Sequence, residues 1–210
     1  MKPATKWRCT PVFTWMVGCA QRSIFGENTE TVICTRCFSQ NGPESRPSDD
    51  EEIRPVRIDD DFAAVQALYL RTWRTAYRNL LPAGFLGQLS VTSWHPQQRW
   101  QRTFLAITAG GQIVGVCSYG PGRQPERQGW GEIYSLYVDP DFEGQGIGGQ
   151  LFTAAIKQLQ SDYTKLYLIV LTNNQTARTF YAHHGFHAVG AAEDTDTPFG
   201  TIHEITYTKE

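Results

Sequence analysis

Along residues 53–210 the apolar positions follow two rhythms, one of three to four residues and one of two, and the changes between them mark out the elements. Val65, Leu68, Tyr69, Thr72, Trp73 and Ala76 recur at helical spacing behind Asp59, Asp60 and Asp61, which offer N-cap oxygens and negative charge to a helix start. This predicts a helix to about Tyr77, broken at Leu80-Leu81-Pro82, with short helical turns over residues 83–89 and 93–102. Residues 104–108 and 113–119 are apolar runs around Ala109-Gly110-Gly111-Gln112 and read as a hairpin. Further strands are predicted at 54–58, 132–138, 166–171, 186–189 and 201–207; the apolar run at 166–171 is expected to be buried on both faces. Residues 147–160 read as a helix with Leu151, Ala155 and Leu159 on one side, and 174–184 as another that Gly185 ends. Residues 120–129, rich in Gly, Pro and Arg, read as an exposed loop.

Residues 1–52 do not share these rhythms. Asn41-Gly-Pro-Glu-Ser-Arg-Pro-Ser48 followed by Asp49-Asp-Glu-Glu52 is a run of turn formers and like charges, which reads as a linker. The expected organisation is a poorly ordered extension and linker over 1–52 and one domain over 53–210. Four of the five cysteines, Cys9, Cys19, Cys34 and Cys37, precede the linker. Cys34-Thr-Arg-Cys37 has the spacing of half a zinc site, but Cys9 and Cys19 are ten residues apart and no His accompanies them, so no metal is expected. The run from Val12 to Gly18 behind Lys2, Lys6 and Arg8 is interrupted by Thr14 and falls far short of the roughly 20 residues of a membrane span.

Charge narrows the partners. The chain carries 19 Lys and Arg against 21 Asp and Glu, which gives no basic excess to neutralise a phosphate backbone. Thirteen basic and eighteen acidic residues fall in 49–210, so the domain is mildly acidic and suited to a cationic small substrate.

The densest chemical signal is Gly144-Gln-Gly146-Ile-Gly148-Gly149 at the start of the predicted helix, behind the strand at 132–138. Glycines there let a ligand approach the backbone, and the free amides of a helix start favour a diphosphate. Gly144-x-Gly146-x-x-Gly149 also satisfies the dinucleotide fingerprint, so an NAD-binding oxidoreductase is a rival reading. Against it stand the spacer from Asp139 to Glu143, the missing acidic residue at Leu171-Thr172-Asn173-Asn174, and a position on about the fourth strand. His183 and His187 are four apart, but Gly185 between them ends the helix and removes the shared face a metal pair needs.

These residues resemble the GCN5-related N-acetyltransferases. That family's Gln/Arg-x-x-Gly-x-Gly/Ala is matched by Glu143-Gly144-Gln145-Gly146-Ile147-Gly148 after Leu136-Tyr137-Val138-Asp139-Pro140, with Glu143 departing from the usual Gln or Arg. Asn174-x-x-Ala177-x-x-Phe180-Tyr181 followed by Gly185-Phe186 is similar to its second signature, and Thr72-Trp73-Arg74-Thr75-Ala76-Tyr77 with Leu80-Leu81-Pro82 to its first helix and substrate-side loop. The resemblance, from about Ile53 onward, implies an α/β (α+β) fold: a mixed, mostly antiparallel twisted sheet with helices on both faces, open between its fourth and fifth strands. It implies acetyl-CoA as acetyl donor, a small-molecule or peptide amine as acceptor, direct transfer without a covalent enzyme intermediate, and a cytoplasmic setting. A catalytically silent acyl-CoA sensor with the same fold is the alternative, and a homodimer is one arrangement the sequence permits.

By the same resemblance the amides of Glu143, Gly144, Gln145, Gly146, Gly148 and Gly149 would hold the pyrophosphate, and the backbone of Leu136, Tyr137 and Val138 would pair with the pantetheine arm. The Leu136 N–H would polarise the thioester carbonyl, Asn174 would steady the pantetheine or the splay of the strands, and Tyr181 would protonate the departing thiolate. An amine attacks only when neutral, and Glu132, on the strand entering the site, is the carboxylate expected to drain its proton. Glu132 also reads as a solvated strand-start residue, and Tyr181 as an amphipathic core residue. Trp73 and Tyr77, with the 120–129 loop, would form the acceptor side, although Trp73 lies on the apolar stripe and reads more readily as core.

Overall fold

The computed structural model describes residues 51–210. The expectations for the N-terminal cysteines, the apolar run between Cys9 and Cys19 and the stretch from Asn41 to Asp50 lie outside the described residues. Seven strands form one sheet in the order β1-β2-β3-β4-β5-β7-β6, where β1 is Glu51–Pro55, β2 Thr103–Thr108, β3 Ile113–Pro121, β4 Gly131–Val138, β5 Leu166–Leu171, β6 His187–Thr197 and β7 Gly200–Lys209. Every neighbouring pair is antiparallel except β4 and β5. Helices α1 (Phe62–Ala76) and α2 (Ala83–Gly87) cover one face, and α3 (Ile147–Leu159) and α4 (Gln175–His183) the other.

Local chemistry explains most of these elements. The Asp61 side chain accepts from the Ala64 N–H at 3.0 Å and starts α1, whose stripe from Val65 to Ala76 is buried as predicted. All six residues of β5 are buried, as expected of a central strand covered on both faces. Gly185 takes φ 82° and closes α4, a conformation that costs glycine little.

Four boundaries differ from the expectation. β1 begins at Glu51 and ends at Pro55, because Arg54 forms a two-pronged bond to Asp60 (2.8 and 2.6 Å) and the Arg57 N–H joins the same carboxylate, which turns residues 57–60 out of the sheet. Residues 93–102 form no single helical turn: Trp94 is extended, and Pro96 opens a separate 3₁₀ turn. The 120–129 segment is folded down onto the sheet: β3 runs to Pro121, and a Cβ on Gly122 would lie 2.9 Å from the Tyr167 ring. β6 extends to Thr197, far beyond residue 189, because its polar stretch at 193–197 pairs with β7.

Candidate active site

The ladder between β4 and β5 consists of Gly131↔Leu166 and Glu132↔Tyr167 alone, after which the strands part. Gly131 sits at the apex, where a Cβ would lie 2.7 Å from Leu166 and 3.0 Å from Leu159. One extra residue on β4, Tyr134, interrupts its register with β3 between Ser118↔Ser135 and Tyr119↔Ile133. Such a bulge bends its strand, here away from β5. Beyond the bulge the Asp139 N–H donates to Val114 on β3 at 2.8 Å. Backbone direction alternates along a strand, so Tyr137 also faces β3, while Leu136 and Val138 turn their N–H and C=O groups into the wedge.

The mouth of the wedge is the start of α3. Gly146 is its N-cap at φ 85°, no side chain caps the helix, and the first intrahelical bond is donated by Gln150. The amides of Ile147, Gly148 and Gly149 are therefore free to donate, at the positive end of the helix dipole. A Cβ at Gly144, Gly146 or Gly149 would meet nothing within 4 Å, so open space borders these amides. Gly144, Gln145 and Gly146 are exposed, and Glu143 is half-buried in an extended conformation. Asp139 fixes the turn before them by accepting from the Asp141 N–H and from Arg71 of α1, both at 3.0 Å; Arg71 also pairs with Asp141.

Asn174 is fully buried and caps α4 through its Oδ1, which accepts from the Ala177 N–H at 3.0 Å, just after β5 ends. Tyr181 is also fully buried, its ring against Phe152, Phe180 and Phe186.

Glu132 is not the solvated strand-start residue that the sequence also allowed. It is fully buried, and its carboxylate accepts from the Tyr167 hydroxyl (2.6 Å), the Arg123 N–H (2.9 Å) and the Arg123 guanidinium (2.7 Å). With these donors in place it acts as a fixed counter-ion at the apex of the wedge, and it would have to release them to take a proton. Trp73 and Tyr77 differ as well. Tyr77 is fully buried, and Trp73 packs against Tyr77, Phe85 and Trp94 while its indole N–H donates to the Tyr137 hydroxyl at 3.0 Å. Their ring faces are spent on the core between α1 and the sheet, so neither offers a face to an acceptor.

Two residues that the sequence reading missed stand near the wedge. Glu204 of β7 pairs with Leu171 of β5, and directly opposed residues of an antiparallel pair share a face. Leu171 and Ile202 belong to the core on the α1 side, so Glu204 emerges on that face. Counting up both strands from Glu132↔Tyr167 brings Leu171, and with it Glu204, nearly level with Leu136. Burial, and then the carboxylate of Glu193 opposite on β6, push the Glu204 carboxyl up to about 7. Arg99 is the second, its guanidinium over the Tyr134 ring. Neither carries a motif, since each gains its position from chain pairing or from the packing of an irregular segment.

A parted strand pair with inward amides, ending at a glycine-lined helix start, is an arrangement that can hold an extended cofactor with a diphosphate at one end. Residues 63–186 match the model of the Acetyltransferase (GNAT) family, and the chain belongs to that family. It is an acetyl-CoA-dependent N-acetyltransferase, so the dinucleotide reading of its glycines falls away. Among its relatives is the Probable N-acetyltransferase Rv2775 of Mycobacterium tuberculosis, 29% identical over 138 residues that cover 62% of this chain and 76% of the relative. The Uncharacterized N-acetyltransferase YuaI of Bacillus subtilis is 24% identical over 138 residues, covering 62% and 78%. The fold is shared with yncA, a putative acetyltransferase from Salmonella typhimurium solved with its cofactor acetyl-CoA, at TM-score 0.60 and 16% identity over 76% of this chain and 93% of that one. Among the described residues no helix is long and apolar enough to cross a membrane.

Proposed function

We propose that this N-acetyltransferase binds the pantetheine arm of acetyl-CoA as an added strand along β4 and acetylates a primary amine presented from the α1 face of the sheet. The observation that carries this reading is the ladder between β4 and β5, which stops after two pairs and leaves the Leu136 and Val138 backbone turned into the gap. Ile147, Gly148 and Gly149 would donate their amides to the diphosphate, and Gly144 and Gly146 would let it approach. Bound there, acetyl-CoA supplies an acyl carbon activated by a good leaving group.

The remaining chemistry belongs to the chain. The Leu136 N–H donates to the thioester oxygen as negative charge grows on it. Glu204 takes the proton that the ammonium must lose: a carboxyl near 7 exchanges protons at neutral pH, whereas an ordinary Glu near 4.3 is too weak a base. As the new C–N bond forms and the C–S bond breaks, Tyr181 gives its phenolic proton to sulfur. Asn174 caps α4 and so holds Tyr181 in place, and Glu132 with Arg123 and Tyr167 keeps the apex closed.

The test is calorimetric titration of the full chain with acetyl-CoA and, in parallel, NADH, followed by thiol release with an amine panel. Leu136→Pro, which removes one amide, serves as the variant. The reading expects saturable acetyl-CoA binding, no NADH binding, and a loss of kcat in the variant of about 10²–10³. Unchanged kcat in a folded Leu136→Pro protein would refute the role of that amide.

A further inference from the structure

The net charge of the domain pointed to a cationic acceptor, but the charges beside the wedge point another way. Two guanidiniums face the ring of Tyr134, Arg123 at 4.3 Å and Arg99 at 5.3 Å from its centroid. Arg123 is matched by Glu132. Arg99 is half-buried, and among the described residues no carboxylate forms an ion pair with it. Burial and the positive charge of Arg123 push its guanidinium below the ordinary arginine value, and Tyr69, Tyr134 and the more distant Glu132 carboxylate offset this only in part. A stacked tyrosine offsets only part of the desolvation of a cation.

Arg99 is also held in place. Its N–H donates to the Pro96 carbonyl at 3.0 Å, and its own carbonyl accepts from the Thr103 hydroxyl, which bonds the buried Ser118 hydroxyl at 2.9 Å on β3. These bonds fix the backbone at Arg99, and its guanidinium lies over Tyr134, two residues before Leu136 on β4. Two residues of strand span about 7 Å, so a group bound by Arg99 lies within a few bonds of the acyl carbon.

We propose that Arg99 binds a carboxylate of the acceptor, and that the acceptor is a small amino acid whose amine and carboxylate are a few bonds apart. A bidentate bond between guanidinium and carboxylate supplies the missing counter-charge and orients the amine toward the Leu136 amide. Polyamines and aminoglycosides place a cation where Arg99 already stands and are excluded by it. The proposal rests on the reading of the wedge as the acetyl-CoA site.

The experiment uses the full chain, acetyl-CoA, the proteinogenic amino acids, and for each the matched decarboxylated amine and α-amide. The expected result is turnover of one or more amino acids with kcat/KM at least 30-fold above the matched amine and amide. In Arg99→Gln the KM for the amino acid rises by a similar factor and the preference over the matched amine is lost, while the Kd for acetyl-CoA is unchanged; Arg99→Lys recovers part of the loss. Equal or better turnover of decarboxylated amines or spermidine by the wild-type protein would overturn the proposal without any variant. So would an unchanged KM in Arg99→Gln. Failure to bind acetyl-CoA would instead sink the reading of the wedge, so the two failures are told apart.

Discussion

Replacing Glu204 by Gln tests the electrostatics of the site in two independent ways. The carboxyl is pushed from 4.5 up to about 7, first by burial and then by Glu193 across the strand pair. Because the folded value lies above the unfolded one, Glu204 adds most to stability below pH 4.5, and that contribution is lost as pH rises to about 7. A displacement of that size corresponds to roughly 3 kcal/mol, and residual solvent access at this half-buried site brings it to about 1.5–3 kcal/mol. Gln keeps the shape and never ionises, so Glu204→Gln gains that much on the wild type between pH 4 and pH 8. Urea unfolding at pH 4, 6 and 8 reads the gain directly. In the same pH series the wild-type kcat/KM gains a limb near pH 7 below which activity falls, and the variant loses this limb together with about 10²–10⁴ of rate. A stability difference that does not change with pH would refute the burial argument. A variant that keeps the limb would refute the role of Glu204 as proton acceptor and return attention to Glu132.

Three further outcomes are expected. Gly146→Val places a β-branched residue at φ 85° and a side chain in the open space beside the α3 amides; it costs at least 1–2 kcal/mol in thermal unfolding and weakens acetyl-CoA binding at least 10-fold by calorimetry. Glu143→Gln removes a like charge beside the diphosphate and tightens acetyl-CoA about 2–5-fold at low salt, an advantage that shrinks at 1 M salt. Tyr181→Phe preserves the ring packing on Phe152 and Phe186, so stability changes by less than about 1 kcal/mol while kcat falls about 10²-fold and Kd for acetyl-CoA holds. Unchanged kcat in that last variant would leave Tyr181 as a core residue alone.

Elements with strong local signals were legible without coordinates. The α1 stripe, the apolar run of β5, the glycines that open α3 and Gly185 at the end of α4 were each read from their own residues, because helix period, burial and positive φ act within a few positions of the chain. The family was readable from three motif blocks, at 72–82, 143–148 and 174–186, for the same reason. Tertiary structure alone decided the charges of the site. Glu132 read equally as a base or as a solvated residue, and only the fold brings Arg123 and Tyr167, nine and thirty-five residues away, onto its carboxylate. Trp73 read as core from its apolar stripe, whereas Tyr77 looked available until the fold buried it against Trp73, which Phe85 of α2 and Trp94 cover in turn. Glu204 owes its proton affinity to pairing with Leu171 and Glu193, and Arg99 owes its place over Tyr134 to turns around Pro96 that carry no period. Backbone conformation follows from near neighbours in sequence, whereas desolvation and Coulomb energy depend on neighbours in space, and only the folded sheet brings those together.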